Sequence, residues 1–309
     1  MFHHFHDDGI HTKGQGSIDK DDFYKMINFI GRNNILDAEV FYEKLKNNKL
    51  KNNEVCLTFD DAVRCQIDIA LPILEELKIK SFFFVYTSMF KDKPDNLEFF
   101  RYFRINFFKS IDEFYENFYK VLDKDLKSFF EKNSHVIKDK KTKFPFYSVS
   151  DIKFRLVRDF FLTQNQYEDI MFLLFREKQF NHNDFSKKLF FQKNDLQTLD
   201  NLGHLIGLHS HNHPTLLEKL SYDEQKSEYE TCISITSDIL DKPKNEIKCM
   251  SHPCGSYNSD TLEILNELGI ELGFKQIMTI EKEKGMKKIN NSFLEIARQD
   301  HADILKRMN

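Results

Sequence analysis

The chain has 309 residues, of which 40% are hydrophobic and 30% are charged, and its formal net charge at pH 7 is −4. These values exclude an intrinsically disordered chain, and the small net charge predicts no nucleic-acid partner. The five cysteines are odd in number and lack Cys-x-x-Cys spacing, so we expect neither a disulfide framework nor a cysteine zinc site.

The chain also lacks the sequence features of a membrane or secreted protein. No apolar run approaches the roughly 18 residues that cross a bilayer. Residues 1–8 have neither the basic nor the apolar region of a signal peptide. We therefore expect a cytoplasmic protein with no transmembrane segment.

The first ninety residues alternate between short apolar runs and amphipathic segments. In chain order these predict a strand at residues 1–5, a helix that starts at Asp19 and a second helix at 38–46. A strand at 54–59, a helix at 67–77 and a strand at 81–86 follow. A strand, a helix and a strand within about 30 residues form a βαβ unit, which predicts a parallel sheet.

The composition changes between residues 91 and 200, which hold 20 of the 32 phenylalanines, many of them at helical spacing. We interpret residues 91–200 as a Phe-rich helical insertion into a discontinuous domain formed by residues 1–90 and 201–309. In the last third, the alternation resumes with strands at 205–208 and 248–251, helices at 222–240 and 259–268, and final strands at 271–274 and 293–296.

Polar side chains follow two of the predicted strands where those strands end. Asp60 and Asp61 come directly after the strand at 54–59, and His209 and His213 follow the strand at 205–208, spaced as on one face of a helix. Each pattern alone has an ordinary explanation, because paired carboxylates often cap helices and histidines recur by chance. Their shared position at strand ends favours one metal site that leaves a carboxylate as a base.

Four motifs together resemble the polysaccharide deacetylases of the NodB-homology type. They are Thr-Phe-Asp-Asp at residues 58–61, His-Ser-His-Asn-His-Pro at 209–214, Pro-Cys-Gly-Ser-Tyr-Asn at 253–258, and Met-Phe-His at 1–3. They occur in the family's order, and the resemblance covers about two thirds of the chain, leaving out the Phe-rich insertion.

The resemblance implies an α/β fold, a deformed (β/α)7-type barrel, with a divalent metal ion. By motif position, Asp61, His209 and His213 would be the metal ligands, and Asp60 would be the general base that activates water. Zinc is the expected ion, with Co²⁺ or Ni²⁺ as alternatives. Three protein ligands suit such an ion because they leave a coordination position for a water molecule or substrate.

The resemblance also places residues around the substrate. The backbone N–H of Cys254, after Pro253, would stabilise the oxyanion of the reaction. His252 and His3 would lie nearby, His3 at the end of the first strand.

Several positions depart from the family pattern. Ala62 stands where the family has glycine, and Ser251 stands where many members carry an arginine that orients the base. Arg298 is the candidate to replace that arginine. The family's closing Leu-x-x-His is not evident, so His301 and His252 are candidates for the general acid. For His301, a surface position with no catalytic role is an equally good interpretation.

These observations predict a metal-dependent hydrolase that removes an N-acetyl group, or alternatively an O-acetyl group, from a carbohydrate in surface-polysaccharide biosynthesis. Cys254 replaces an aromatic residue that commonly lines the sugar pocket, which keeps open a hydrolase of a small cyclic or formyl amide on the same fold. The unassigned general acid keeps open a degenerate glycan-binding module. The sequence leaves the oligomeric state undetermined.

Overall fold

The computed structural model describes residues 1–14, 16–91, 96–143, 147–278 and 293–308. It contains two compact units, one formed by residues 1–95 and 186–309 and the other by residues 96–185. The first unit carries all the strands found in the described residues, and the regular elements of the second unit are helices.

A parallel sheet forms the centre of the first unit. Its strands lie side by side in chain order: β1 (Thr58–Asp60), β2 (Phe82–Val85), β3 (Leu205–Leu208), β4 (Cys249–Ser251) and β5 (Leu272–Phe274). Single bridges from Phe2 to Phe59 and from Phe274 to Ile296 continue the pairing beyond both outer strands. The predicted α/β class with a parallel sheet is confirmed.

Apolar side chains cover both faces of this sheet, as a parallel sheet requires. Phe82 and Phe84 of β2 point to one face, where they pack with a cluster that includes residues of the helix at 38–46. Phe83 points to the other face and stacks on Phe59 of β1, with ring centroids 4.7 Å apart. The alternation explains why β2 is an unbroken apolar run in the sequence.

Eight helices of the first unit surround the sheet within the described residues. They are α1 (Lys20–Ile30), α2 (Ala38–Lys46), α3 (Leu71–Glu76), α10 (Ser186–Leu189), α11 (Lys193–Asn201), α12 (Tyr222–Leu240), α13 (Ser259–Glu267) and α14 (His301–Met308). As predicted, the Asp19 side chain caps α1 by accepting a hydrogen bond from the backbone N–H of Asp22.

The second unit is a helical body with an aromatic core. Its helices are α4 (Leu97–Asn106), α5 (Ile111–Leu122), α6 (Lys127–Lys132), α7 (Ser134–Lys143), α8 (Val149–Leu156) and α9 (Gln164–Glu177). Phe103, Phe175 and Phe180 are buried and make edge-to-face or tilted contacts, with ring centroids between 4.6 and 5.3 Å apart. The phenylalanine stripes that the sequence shows at helical spacing are largely core residues.

Two predicted strands are wrong in part. Residues 293–296 were expected to form a strand, but Phe293–Glu295 is a 3-10 turn and Ile296 alone bridges to β5. The Leu294 carbonyl accepts a hydrogen bond from His252 Nε2, so it is not available to a strand ladder. Residues 1–5 make two isolated bridges, at Phe2 and Phe5, instead of a continuous strand.

Two further features concern the helices and the cysteines of the described residues. Across the described ranges, no helix combines the length and the apolar composition needed to cross a bilayer. The five cysteines all lie in described segments, and none of them forms a disulfide.

Substitution of Gly207 in β3 tests this sheet packing. A Cβ atom there would lie 2.5 Å from the Cys249 carbonyl oxygen and 2.7 Å from a ring carbon of Phe84. Because strand backbones cannot separate without breaking the ladder, we expect Gly207→Ala to destabilise the protein by about 1–3 kcal/mol. Gly9→Ala is the matched control, since its Cβ would have no neighbour closer than 3.8 Å. Equal denaturant midpoints for the two variants would contradict this packing.

Candidate active site

The two carboxylates stand at the carboxyl end of β1 in different backbone settings. Asp60 is the last residue of β1 and is buried. Asp61 and Ala62 both have positive φ, 76° and 49°, so the chain turns sharply after Asp60. Left-handed backbone costs a non-glycine residue about 1–2 kcal/mol. The alanine that stands at the family's glycine position therefore adopts a conformation that favours glycine.

His209 and His213 lie on an irregular loop. Their four-residue spacing therefore does not reflect a helix. Ser210 and His213 have positive φ, 65° and 54°. Glu228 of α12 holds this loop, because its carboxylate accepts hydrogen bonds from the backbone N–H groups of His211 and Asn212, at 2.8 and 2.7 Å. The left-handed backbone and this clamp bring the two imidazoles together.

Asp61, His209 and His213 form a compact set of three ligand atoms. Asp61 Oδ1 lies 3.2 Å from Nε2 of His209 and 3.2 Å from Nε2 of His213, and the two Nε2 atoms are 3.2 Å apart. Ligands about 2.1 Å from a tetrahedral ion stand about 3.4 Å from each other. The spacing and the donor types therefore fit a divalent ion such as zinc.

The surroundings of His209 fix which ring nitrogen faces the cluster. His209 Nδ1 lies 2.8 Å from the Ser251 carbonyl oxygen and 2.7 Å from Ser251 Oγ. A carbonyl oxygen only accepts hydrogen bonds, so Nδ1 carries the proton and Nε2 presents a lone pair. Histidines that bind metals commonly make this outer contact. Ser251 thus orients the ring of His209, one of the proposed ligands.

Asp61 remains ionised beside these rings. Burial acts to raise its pKa, but the facing imidazoles, His213 first, hold the pKa well below its ordinary value of 3.8. A carboxylate and two imidazoles form a donor set that a divalent cation would complete.

Arg298 lies on Asp60 and makes a buried two-pronged ion pair. Its two terminal nitrogens donate to the two carboxylate oxygens of Asp60, each at 2.7 Å, and its Nε donates to the Lys275 carbonyl oxygen at 2.9 Å. Burial would raise the pKa of Asp60, but Arg298 and then His209 lower it to about 2. The structure thus places Arg298 where it orients the carboxylate proposed as the base.

His3 approaches Asp60 from the first bridge of the sheet. Its Nε2 lies 3.8 Å from Asp60 Oδ2, and its side chain is 22% exposed. The Gln66 side chain fixes both residues by donating to the His3 carbonyl oxygen at 2.8 Å and to the Asp60 carbonyl oxygen at 2.6 Å. The site therefore has a partly buried imidazole beside Asp60.

Two segments that contain most of these residues match a known protein family. The family model for polysaccharide deacetylases matches residues 47–102 and 153–273, which is more than half of the chain. The chain belongs to the polysaccharide deacetylase family. This membership confirms the resemblance and the prediction of a hydrolase of this family. A search of curated protein sequences found no match.

Three solved structures have a similar fold. A Streptococcus pyogenes deacetylase, PplD, solved with acetate, is 16% identical with a TM-score of 0.55, covering 100% of this chain and 96% of that one. A de-N-acetylase from Aggregatibacter actinomycetemcomitans is 12% identical with a TM-score of 0.55, covering 100% and 97%. IcaB from Ammonifex degensii is 12% identical with a TM-score of 0.53, covering 96% and 87%. These likenesses confirm the predicted NodB-type fold.

The other residues proposed for this deacetylase's site have different surroundings. His301 is buried, stacks on Phe2, and its Nε2 lies 2.7 Å from the Gly16 carbonyl oxygen. His252 is buried, donates from Nε2 to the Leu294 carbonyl oxygen and stacks on Tyr257 at 4.2 Å. The contacts given for these two rings do not include Asp61. They therefore do not support either histidine as the general acid.

Pro253 and Cys254 begin a tight turn beyond the end of β4. Pro253 is buried, and Cys254 is exposed with a φ of 52°. The preceding strand ends at Ser251, which contacts His209, so the turn begins at the metal-ligand side of the sheet. This position is compatible with the oxyanion role expected for the Cys254 backbone.

Three residues hold the motif residues in place, and no sequence pattern indicates this role for any of them. Gln66, Glu228 and Ser251 contact the backbone or the rings of the motif residues. A buried glutamine at the start of a helix and a glutamate within a polar helix are common, so only their tertiary contacts distinguish them.

We expect Arg298→Met to destabilise the protein by about 3–5 kcal/mol, because it leaves the Asp60 carboxylate buried without its partner. Adding Asp60→Asn should recover much of that loss in a double-mutant cycle measured by denaturant unfolding. Arg64→Met is the control, since Arg64 pairs with Asp68 and Asp195 at a partly exposed site and should cost less than about 1 kcal/mol. Additive losses for Arg298 and Asp60 would contradict the pairing.

The same ion pair predicts a pH dependence. The pKa of Asp60 is about 2 in the folded protein against an ordinary value of 3.8, so its contribution is present above pH 3.8 and is lost as the pH falls through 2. We expect the difference in thermal midpoint between the wild type and Arg298→Met, both metal-free, to be large near pH 7 and to shrink as the pH falls toward about 2. A constant difference would show that the pair is not ionic.

Proposed function

We propose that this protein is a divalent-metal-dependent hydrolase that removes the N-acetyl group of a carbohydrate, with O-acetyl groups as the alternative target. The observation that carries the proposal is the set of three ligand atoms at 3.2 Å beside an independently held carboxylate, Asp60. A set of ligands and a separate base is what metal-assisted hydrolysis requires.

Asp61, His209 and His213 would hold the cation. Zinc suits one carboxylate and two imidazoles, and Co²⁺ or Ni²⁺ can occupy similar donors. When bound, the cation would polarise the acetyl carbonyl group and make water more acidic.

Asp60 would take the proton from the attacking water. Its Oδ2 lies 4.0 Å from His209 Nε2, so it faces the ligand atoms without belonging to the set of three. Arg298 keeps Asp60 ionised and fixes both of its oxygens, which makes Arg298 a positioning residue. The Cys254 backbone N–H is proposed to face the oxyanion.

His3 is the residue best placed to deliver a proton to the leaving amine. It lies beside Asp60, and its side chain is partly exposed. As water adds to the acetyl carbon and the C–N bond breaks, the amine gains the proton and acetate leaves. His301, the acid expected from its position near the chain end, is buried against Phe2 and Gly16.

The carbohydrate substrate is inferred from the family. One structural relative is described as a de-N-acetylase, and that name supports an N-acetylated sugar as the first substrate to test. We place the reaction in surface-polysaccharide biosynthesis, in the cytoplasm, where five thiols without a disulfide would be stable.

The metal proposal predicts one tightly bound divalent ion per chain. We expect metal analysis after zinc reconstitution and desalting to find about one equivalent, and Asp61→Asn to lower the affinity by about 100-fold or more. Asparagine is the chosen replacement because it tolerates the left-handed backbone at this position. No retained zinc in the folded wild type would contradict the proposal.

The base assignment predicts that Asp60→Asn keeps the metal and loses turnover. Removing a general base lowers the rate by about 100-fold or more, while the three ligands remain. Acetate release from N-acetylglucosamine oligomers measures the effect, and O-acetylated sugars and formyl amides form the comparison panel. A variant that releases acetate at the wild-type rate would rule out Asp60 as the base.

A further inference from the structure

A second group of potential ligands lies beside the proposed active site. His3, Asp300 and His301 each offer a ligand atom, and these atoms lie within 4.8 Å of one another. The group shares no residue with Asp61, His209 and His213. His3 connects the two regions, because its Nε2 lies 3.8 Å from Asp60 Oδ2.

The hydrogen bonding of His301 leaves its other ring nitrogen as an acceptor. Its Nε2 lies 2.7 Å from the Gly16 carbonyl oxygen, which can only accept, so Nε2 carries the proton. In the tautomer that carries its single proton on Nε2, Nδ1 presents a lone pair. This Nδ1 is buried without a hydrogen-bond partner in the described parts of the chain, and the residue is 4% exposed.

His301 Nδ1 faces a carboxylate. The distance from Nδ1 to Asp300 Oδ1 is 3.5 Å. A lone pair and a carboxylate oxygen repel each other unless a proton or a cation lies between them. Both residues keep these positions through outside contacts, because Asp300 Oδ1 also accepts a hydrogen bond from the backbone N–H of Ala302 at 2.8 Å.

A purely structural role explains part of this arrangement. Asp300 caps the first turn of α14, and the His301 ring packs on Phe2. These roles do not require Nδ1 to point at the carboxylate or His3 to complete the group. The outer hydrogen bond of His301 to a carbonyl oxygen is the contact that commonly orients a metal-binding imidazole.

We propose that His3, Asp300 and His301 bind a second divalent cation of the zinc class, and that its binding inhibits the enzyme. Two imidazoles and one carboxylate suit Zn²⁺, Co²⁺ or Ni²⁺. Within this group, His301 Nδ1 and Asp300 Oδ1 are 3.5 Å apart, against 3.2 Å between the ligand atoms of the first set, so we expect the second group to bind the cation more weakly. A His3 that holds a cation cannot deliver a proton, and this part of the proposal rests on the proposed function.

Zinc titration of the metal-free full chain tests the binding directly. We expect calorimetry and equilibrium dialysis to show two equivalents, the second at least about 100-fold weaker than the first. His301→Gln should abolish the weaker equivalent alone, and Asp61→Asn should abolish the tighter equivalent alone. His135→Gln is the matched control, because it removes an exposed histidine outside both groups and should leave both equivalents in place.

If His301→Gln retains the tightly bound zinc equivalent, that variant is folded. Should that variant lose both equivalents, Asp300→Asn provides the second test, since it removes only the charge of the group. The proposal is overturned when wild-type protein binds a single equivalent at saturating zinc. It is equally overturned when the weaker zinc equivalent keeps its affinity in folded His301→Gln or Asp300→Asn. That result would mean that a proton, and not a cation, lies between Asp300 and His301.

Turnover provides an independent measurement. Zinc in excess of one equivalent should slow acetate release by the wild type by about 10-fold or more, with a midpoint that matches the weaker binding constant. Inhibition that does not follow that constant would overturn the inhibitory role. Absence of any acetate release at one equivalent would instead contradict the proposed function, while the two-site titration would still decide the second metal site.

Discussion

Parallel strand direction is the constraint on which the site depends. Because all five strands run the same way, the carboxyl ends of β1, β3 and β4 meet at one edge of the sheet. The residues just beyond those ends are Asp61, His209 and the turn at Pro253, and the last residue of β4 is Ser251. The buried phenylalanines of β1 and β2 fix the register that sets these ends level. The apolar core therefore positions the polar chemistry.

Backbone strain accompanies the ligand set. Asp61, Ala62, Ser210, His213 and Cys254 all have positive φ, and none of them is glycine. Such conformations cost about 1–3 kcal/mol each and persist when surrounding contacts determine them. Here the contacts come from Glu228 on the histidine loop and from Gln66 between His3 and Asp60. The site is held by tertiary hydrogen bonds against local preference.

The two carboxylates of the Asp-Asp pair have different partners, which supports the separate roles proposed for them. Asp60 faces a guanidinium group and stays ionised by ion pairing, whereas Asp61 faces two imidazoles. His3 stands at the junction between Asp60 and the group formed with Asp300 and His301. The proposed proton donor and the proposed inhibitory cation thus compete for one imidazole, which links turnover to zinc concentration.

The sequence by itself determined the α/β fold class with a parallel sheet, and it suggested Asp61, His209 and His213 as one metal set through the family resemblance. Those features rest on local patterns: an apolar run that ends in Asp60-Asp61, and histidines that follow the next buried run after the insertion. Only the tertiary structure placed Arg298 on Asp60 across 238 residues of chain. It also gave Ser251, Gln66 and Glu228 their contacts, and it placed His301 in a buried position beside Asp300. These depend on which distant segments pack together, and no local pattern encodes that pairing.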